Sequence, residues 1–328
     1  TSNDDTNGNS GDKTDVIVTP VTPEPSGHFE SSVMKGIKSA QMAGISLWRS
    51  NNNDLHRRMG DLRLSSDNNG VWAKYLGGRN SMSKDAGLTS NYNIYQAGYD
   101  KKVGGNWFVG GAVDYGTSSD SYRGYGSGDG KLASLALYGT MMKEDGQYLD
   151  IILRGSHVKN DYTVKTENFN VDGNYSTWGT SFSVEYGKKF AQDNGFYITP
   201  SAEFTLGRLN GKSYTAHTTA GDLSVKQDGF NSAVGRLGVS FGKQNSSSSY
   251  FGRIGLAHEF SGDADFHYND GEVTNDNHVD LGDTWYEMEF GGTFQLNKNT
   301  YFYGTYTRSF GATLNQDWRL DLGLRFSF

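Results

Sequence analysis

The sequence predicts a twelve-stranded antiparallel transmembrane β-barrel, an all-β fold, preceded by one N-terminal α-helix. Three observations predict it. The body of the chain alternates with a period of two over twelve long runs, short connections alternate with longer polar ones, and a single helix-like segment precedes the first run. Composition agrees: 44 Gly, 20 Tyr and 18 Phe stand against 4 Pro. Pro20, Pro23 and Pro25 fall before residue 28, leaving Pro200 alone in the rest. Proline interrupts sheet ladders, so a Pro-poor, aromatic-rich body suits an extensive sheet. There is no Cys, which excludes a disulfide framework or a thiolate metal site. No run of 18 apolar residues occurs, which excludes a transmembrane helix but not a barrel, whose strands carry only one apolar face. With neither an initiator Met nor a leader, "TSNDDTNGNSGDKTD" reads as the start of a fragment or a processed product, and compartment is not read from a missing targeting signal.

Residues 1–28 hold five acids, one base and no aromatic. Such a stretch, with "VTPVTPEPSG", reads as a solvated extended linker; an edge strand at "DVIVTPVT" is the rival. Residues 29–63 change sign, with six Lys/Arg against three acids. Phe29, Val33, Ile37, Met42, Ile45 and Leu47 recur at roughly helical spacing. Gly36, Gly44 and the Ser/Asn content make this a poor helix in isolation, so it needs surroundings.

From residue 69 the period becomes two. "WRLDLGLRFSF" puts Trp318, Leu320, Leu322, Leu324, Phe326 and Phe328 on one face, with Arg319, Asp321, Arg325 and Ser327 on the other. "YSTWGTSFSVEYG" opposes Trp178, Phe182 and Tyr186 to Ser181, Ser183 and Glu185. "FYITPSAEFTLG" opposes Phe196, Ile198 and Phe204 to Thr199, Glu203 and Thr205. "DTWYEMEFGGTF" opposes Tyr286, Met288 and Phe290 to Glu287 and Glu289. The runs lie near 70–81, 89–102, 106–118, 129–143, 147–163, 174–190, 196–210, 228–243, 248–261, 282–296, 299–311 and 316–328. Many exceed the usual strand length of about five or six residues and reach the roughly ten needed to cross hydrocarbon at a tilt. A soluble sandwich would bury the apolar face instead, but it has no reason to sort its links into short ("KVGGN", "KEDGQ", "AQDNG", "KQNSSSS", "NKN") and long ("GKSYTAHTTAGDLSVKQDG", "SGDADFHYNDGEVTNDNHVDLG").

"LWRSNNNDLHRRMGDLR" followed by "GVWAKYLGG", with twelve strands ending in "LGLRFSF", resembles the translocator domain of monomeric autotransporters of type V secretion. The resemblance covers residues 29–328. It implies an outer-membrane anchor that exports its own N-terminal passenger to the cell surface and is then plugged by the helix. The implied organisation is a linker at 1–28, a pore-threading helix at 29–63 and a barrel at 64–328. The implied partners are outer-membrane lipid, the barrel assembly machinery, periplasmic chaperones and the chain's own passenger. No nucleic acid and no cofactor is expected, and the chain is expected to be a monomer. Charge fits: from residue 64 onward there are 23 Lys/Arg against 29 acids, so a helix of net charge +3 suits the pore.

The resemblance also raises self-cleavage inside the barrel. Aligning "RMGDLR" places the Asn-Asn pair of one autotransporter subgroup on Asn53–Asp54, where the first residue matches and the second does not. Such chemistry needs wall acids, and Glu185 and Glu203 are inward by parity on neighbouring strands, with Asp100, Glu287 and Glu289 in reserve. The plainer role of Glu185, Glu203, Glu287 and Glu289 is to cradle Arg49, Arg57 and Arg58. Arg236, Arg308, Arg319 and Arg325 are expected to pair with lumenal acids. Trp318, Leu324, Phe326 and Phe328 resemble the signal read by the barrel assembly machinery. The His residues show no metal-binding spacing, and the acid-rich stretch "DADFHYNDGEVTNDNHVD" lacks the order of a calcium loop. A passive porin and an autoproteolytic enzyme remain the other function classes.

Overall fold

The computed structural model of the protein describes residues 31–52, 69–83 and 87–328. The expected linker and residues 29–30 and 53–63 of the expected helix lie outside these residues. Six strands follow one another as simple hairpins: β1 (Gly70–Met82), β2 (Leu88–Gly104), β3 (Trp107–Ser121), β4 (Gly126–Met142), β5 (Gln147–Lys165) and β6 (Asn170–Lys188). A two-residue piece, β7 (Phe190–Ala191), leads into β8 (Phe196–Leu209). Next come β9 (Lys212–Thr218), β10 (Gly221–Gln227), β11 (Phe230–Gln244), β12 (Ser248–Glu259), β13 (Asp263–Asn269) and β14 (Thr274–Asp280). The chain ends with β15 (Thr284–Gln295), β16 (Thr300–Phe310) and β17 (Leu314–Ser327).

Twelve of these strands close into one antiparallel barrel. β1 pairs with β2 on one side and with β17 on the other, where Val71 faces Phe326 and Tyr75 faces Leu322. The Phe328 N–H donates to the carbonyl of Asn69 at 2.8 Å, so both ends of the wall meet. Closure leaves no unpaired edge in the lipid, which a membrane demands of any sheet.

The two faces decide between membrane and soluble readings. Leu135 (68% exposed), Trp178 (63%), Leu237 (63%) and Tyr286 (65%) point outward, whereas Asp100, Arg154, Asp321 and Arg325 are buried inside. Large apolar groups outside and ion pairs inside invert the soluble pattern, as a lipid-facing wall around a wet lumen requires.

The wall differs from expectation at its outer end. β4, β5 and β6 extend past the expected runs, so the links at 122–125 and 166–169 are short. The alternation of short and long links therefore does not hold throughout. The two long links are not open loops either. They fold into the hairpins β9–β10 and β13–β14, joined where Val225 faces Tyr268 across β10–β13. Their backbone groups pair with each other rather than with water, and their inner faces bury Leu223, Val225, Phe266 and Tyr268.

Helix α1 (Ser31–Asn52) runs inside the barrel. Its 22 residues span about 33 Å, close to the thickness of the hydrocarbon. Gly36 and Gly44 cost helix propensity but permit close approach. A Cβ at Gly44 meets the Tyr175 hydroxyl at 2.7 Å, and one at Gly36 meets Cγ1 of Val164 at 2.5 Å.

Candidate functional site

From Gly36 to Leu47 no residue of α1 is exposed, although Ser39, Gln41 and Ser46 are polar. A polar helix buried on every side must find its partners in the wall. At its outer half it does so sparingly. Ser39 Oγ donates to the Gly87 carbonyl at 3.0 Å, and Asn160 Nδ2 donates to the Ala40 carbonyl at 2.6 Å. The Tyr268 hydroxyl donates to Gln41 Oε1 at 2.8 Å, tying the second hairpin to the helix. Lys38 is buried here too, while Val33, Ile37 and Ala40 belong to one buried cluster with Val158, Tyr162 and Val164.

Trp48 marks the change. Its indole lies over Gly179 and Gly207 on β6 and β8, where any larger residue would collide with it, and it meets the Phe230 ring edge-on at 6.1 Å. Below it the contacts turn polar. Asn80 Nδ2 donates to the hydroxyls of Ser46 and Ser50 at 2.9 and 2.7 Å, and Arg319 donates to the Ser50 carbonyl at 3.0 Å. Asn51 Nδ2 donates to Asp114 at 3.1 Å and to Ser134 at 2.8 Å, while Gln96 donates to Asn51 Oδ1 at 3.3 Å. Arg154 balances Asp114 at 3.2 Å. Arg49 sits 3.6 Å from Glu259 and 5.7 Å from the centre of the Trp285 ring. A cation in the last turn also complements the helix dipole.

Glu185 and Glu203 face the lumen as expected and are direct cross-strand partners. They do not cradle Arg49, whose ion pair is with Glu259. Glu203 and Glu287 instead meet Arg236, at 3.3 and 2.9 Å, and Glu287 also meets Arg253 at 3.4 Å. Glu289 accepts from the Thr307 hydroxyl at 3.3 Å. Wall arginines one or two strands away lie nearer these acids than Arg49 does. Arg57, Arg58, Asn53 and Asp54 lie outside the described residues. Arg319 pairs with Asp321 and Arg325 with Asp100, as expected. Arg308 does not: it is on the outer face, over the Phe310 ring at 5.2 Å, because Thr307 and Ser309 take the inward positions. Trp318, Leu324, Phe326 and Phe328 are outward, and the Phe328 ring stacks with Tyr99 and Phe326. Asp114, Arg154, Asn80 and Glu259 were missed by sequence reasoning. Asp114 and Glu259 carry a usable signal, being the inward acids of the runs 106–118 and 248–261.

A closed wall filled by one helix from the chain's own N-terminal side matches a known family. The autotransporter β-domain model covers residues 71–307. The chain belongs to the autotransporter β-domain family. Such a domain is an outer-membrane barrel that anchors and translocates a passenger. Among relatives, the pertactin autotransporter of Bordetella parapertussis is 29% identical over 322 residues, covering 94% of this chain and 34% of the relative. The serine protease EspP of Escherichia coli is 33% identical over 213 residues, covering 63% of this chain and 16% of the relative. The chain thus spans about a third of the length of the pertactin autotransporters it matches. Among solved structures, the β domain of the Bordetella autotransporter BrkA aligns with a TM-score of 0.68 at 26% identity, covering 80% of this chain and all of that one. The translocator domain of NalP from Neisseria meningitidis aligns with a TM-score of 0.73 at 13% identity, covering 92% of this chain and all of that one, and supports the fold alone.

Proposed function

We propose that this β-domain passes the segment preceding α1 outward through its own lumen, and that α1 then remains as the plug. The observation that carries this reading is the burial of a helix rich in polar residues from Gly36 to Trp48. Ser46, Ser50 and Asn51 meet Asn80, Asp114 and Ser134 of the wall, and Gln41 meets Tyr268 of the second hairpin, so the lumen is shaped for this segment rather than left open as in a passive porin. The barrel works as a monomer in outer-membrane lipid. Periplasmic chaperones deliver it, and the barrel assembly machinery reads the outward aromatics that end β17. Residues 1–28 then form the solvated link to the passenger.

The test fuses an epitope ahead of residue 1 and shaves intact cells with protease. The account expects the epitope to be cut from outside while the barrel stays protected; an epitope cut only after the cells are lysed overturns it. Deleting Phe328 should lower insertion in cells while leaving sheet content in detergent similar. Self-release is a second reading, favoured by the opposed lumenal Glu185 and Glu203. It expects a cut at Asn53–Asp54, seen in intact mass as a species beginning at Asp54.

A further inference from the structure

The outer surface of the wall carries an open apolar groove. On β12, Gly252 points outward, with Phe241 of β11 facing it on one side and Phe290 of β15 on the other. A Cβ at Gly252 would make only ordinary contacts, with the Phe290 ring at 3.6 Å and the Glu289 carbonyl at 4.0 Å, so the gap between the two aromatics is open. Ile198 faces Phe241 from β8 and continues the floor of the gap. The result is a groove of about 690 Å³ running down the lipid-facing side of β8, β11 and β12. Its volume lies within the range of sites that hold a lipid- or drug-sized molecule.

The groove ends at the rim that carries the turns 192–195 and 245–247, the periplasmic side shared with Asn69 and Phe328. There Lys243 lines the groove, and Lys188 stands beside it against the lining residue Phe190. Lys243 lies over the Phe196 ring with its ammonium 5.0 Å from the centroid, and Lys188 lies over Phe190 at 5.2 Å. A cation held on an aromatic face stays at the interface instead of swinging into bulk water. Lys188 shares the field of the exposed Asp145 in the neighbouring turn. Lys243 has no ion pair among the described residues, and the ring is its interaction. By contrast, beside the β1–β17 closure at the same end, Tyr99, Phe326 and Phe328 stack on one another.

We propose that this groove binds one anionic glycerophospholipid of the periplasmic leaflet, an acyl chain lying along the gap at Gly252 and the phosphate meeting Lys243 and Lys188. The apolar floor selects a chain, the basic rim selects a negative headgroup, and the two are joined in the order that a leaflet presents them. A lysine near an anionic surface is worth about fivefold in binding, so two give roughly 25-fold between anionic and zwitterionic lipids of the same chains.

The test is native mass spectrometry of the intact chain released from detergent after mixing with phosphatidylglycerol or with phosphatidylcholine of identical acyl composition. The expected result is one retained phosphatidylglycerol and little phosphatidylcholine. Lys243→Gln should lower phosphatidylglycerol retention about fivefold, and Lys188→Gln with it further. Gly252→Leu, for which the gap has room, should lower retention of both lipids without changing the heat-modifiable mobility of the folded barrel. Equal retention of the two lipids, or retention of phosphatidylglycerol by the double lysine variant at the level of the unmodified chain, overturns the proposal. A two-barrel species that vanishes on Gly252→Leu and ignores lipid also overturns it, by making the groove a contact between copies.

Discussion

The two halves of α1 are held by different chemistry. The outer half sits among Val158, Val164, Tyr162 and the hairpin residues Phe266 and Tyr268, with a few hydrogen bonds. The inner half shares that cluster through Ile45, Leu47 and Trp48 but adds directional contacts with Asn80, Asp114, Glu259 and Arg319, with Arg154 behind Asp114. Apolar packing excludes water but tolerates small slips of register. Hydrogen bonds to charged groups fix register but weaken when water and salt reach them. The difference therefore divides the labour: the outer half seals, and the inner half positions.

That division is broken most severely at its boundary. Trp48→Ala empties a socket shaped by Gly179, Gly207 and Phe230 and should weaken docking of the helix by about 3–5 kcal/mol. Hydrogen exchange should then speed up across 37–52 while the wall ladder stays protected. Ile37→Ala, in the apolar half, should cost about 2–5 kcal/mol with little dependence on salt. Asp114→Ala strips a partner from both Asn51 and Arg154 and should cost about 1.5–3 kcal/mol, falling as salt rises. Because the last two sites share no partner, their effects should add to within about 0.5 kcal/mol, and a larger coupling would mean the halves are not independent.

A smaller effect concerns the hairpins that cap the outer half. Asp276 and Asp228 accept from the His267 ring and raise its pKa above 6.5; Asp265, helped by Asp263 and Asp280, does the same for His278. Lys226 faces His267 across β10–β13 and shares Asp228 with it. A raised folded-state pKa gives stabilisation that is complete below the unfolded value and is lost as pH rises through the folded one. Both rings are partly exposed, so the effect is modest. Protease nicking within 263–280 should increase from pH 6 to pH 8, and His267→Gln should flatten that profile.

Much of this was legible in the sequence. Twelve runs, their inward and outward faces and the meeting of Glu185 with Glu203 follow from a period of two, because one residue in a strand reverses the side it faces. The error at Arg308 has the same origin: assigning lumenal bases by chemistry rather than by counting from Thr307 put it on the wrong face. What sequence did not disclose is which strands meet across the lumen. Arg49 pairs with Glu259 rather than with Glu203 because the rotation of α1 in the barrel is set by Trp48 on its two glycines, a contact between positions far apart in the chain. The hairpins escaped because their alternation is mostly polar, with Ala216, Leu223, Val225, Ala264, Phe266, Tyr268 and Val279 making the inner face.

The most direct measurement is single-channel conductance of the intact chain against a variant lacking residues 31–52, both refolded into planar bilayers. If α1 is the plug, the intact chain should stay closed with brief openings and the deletion should hold a sustained open state. Equal conductance in the two would contradict the account.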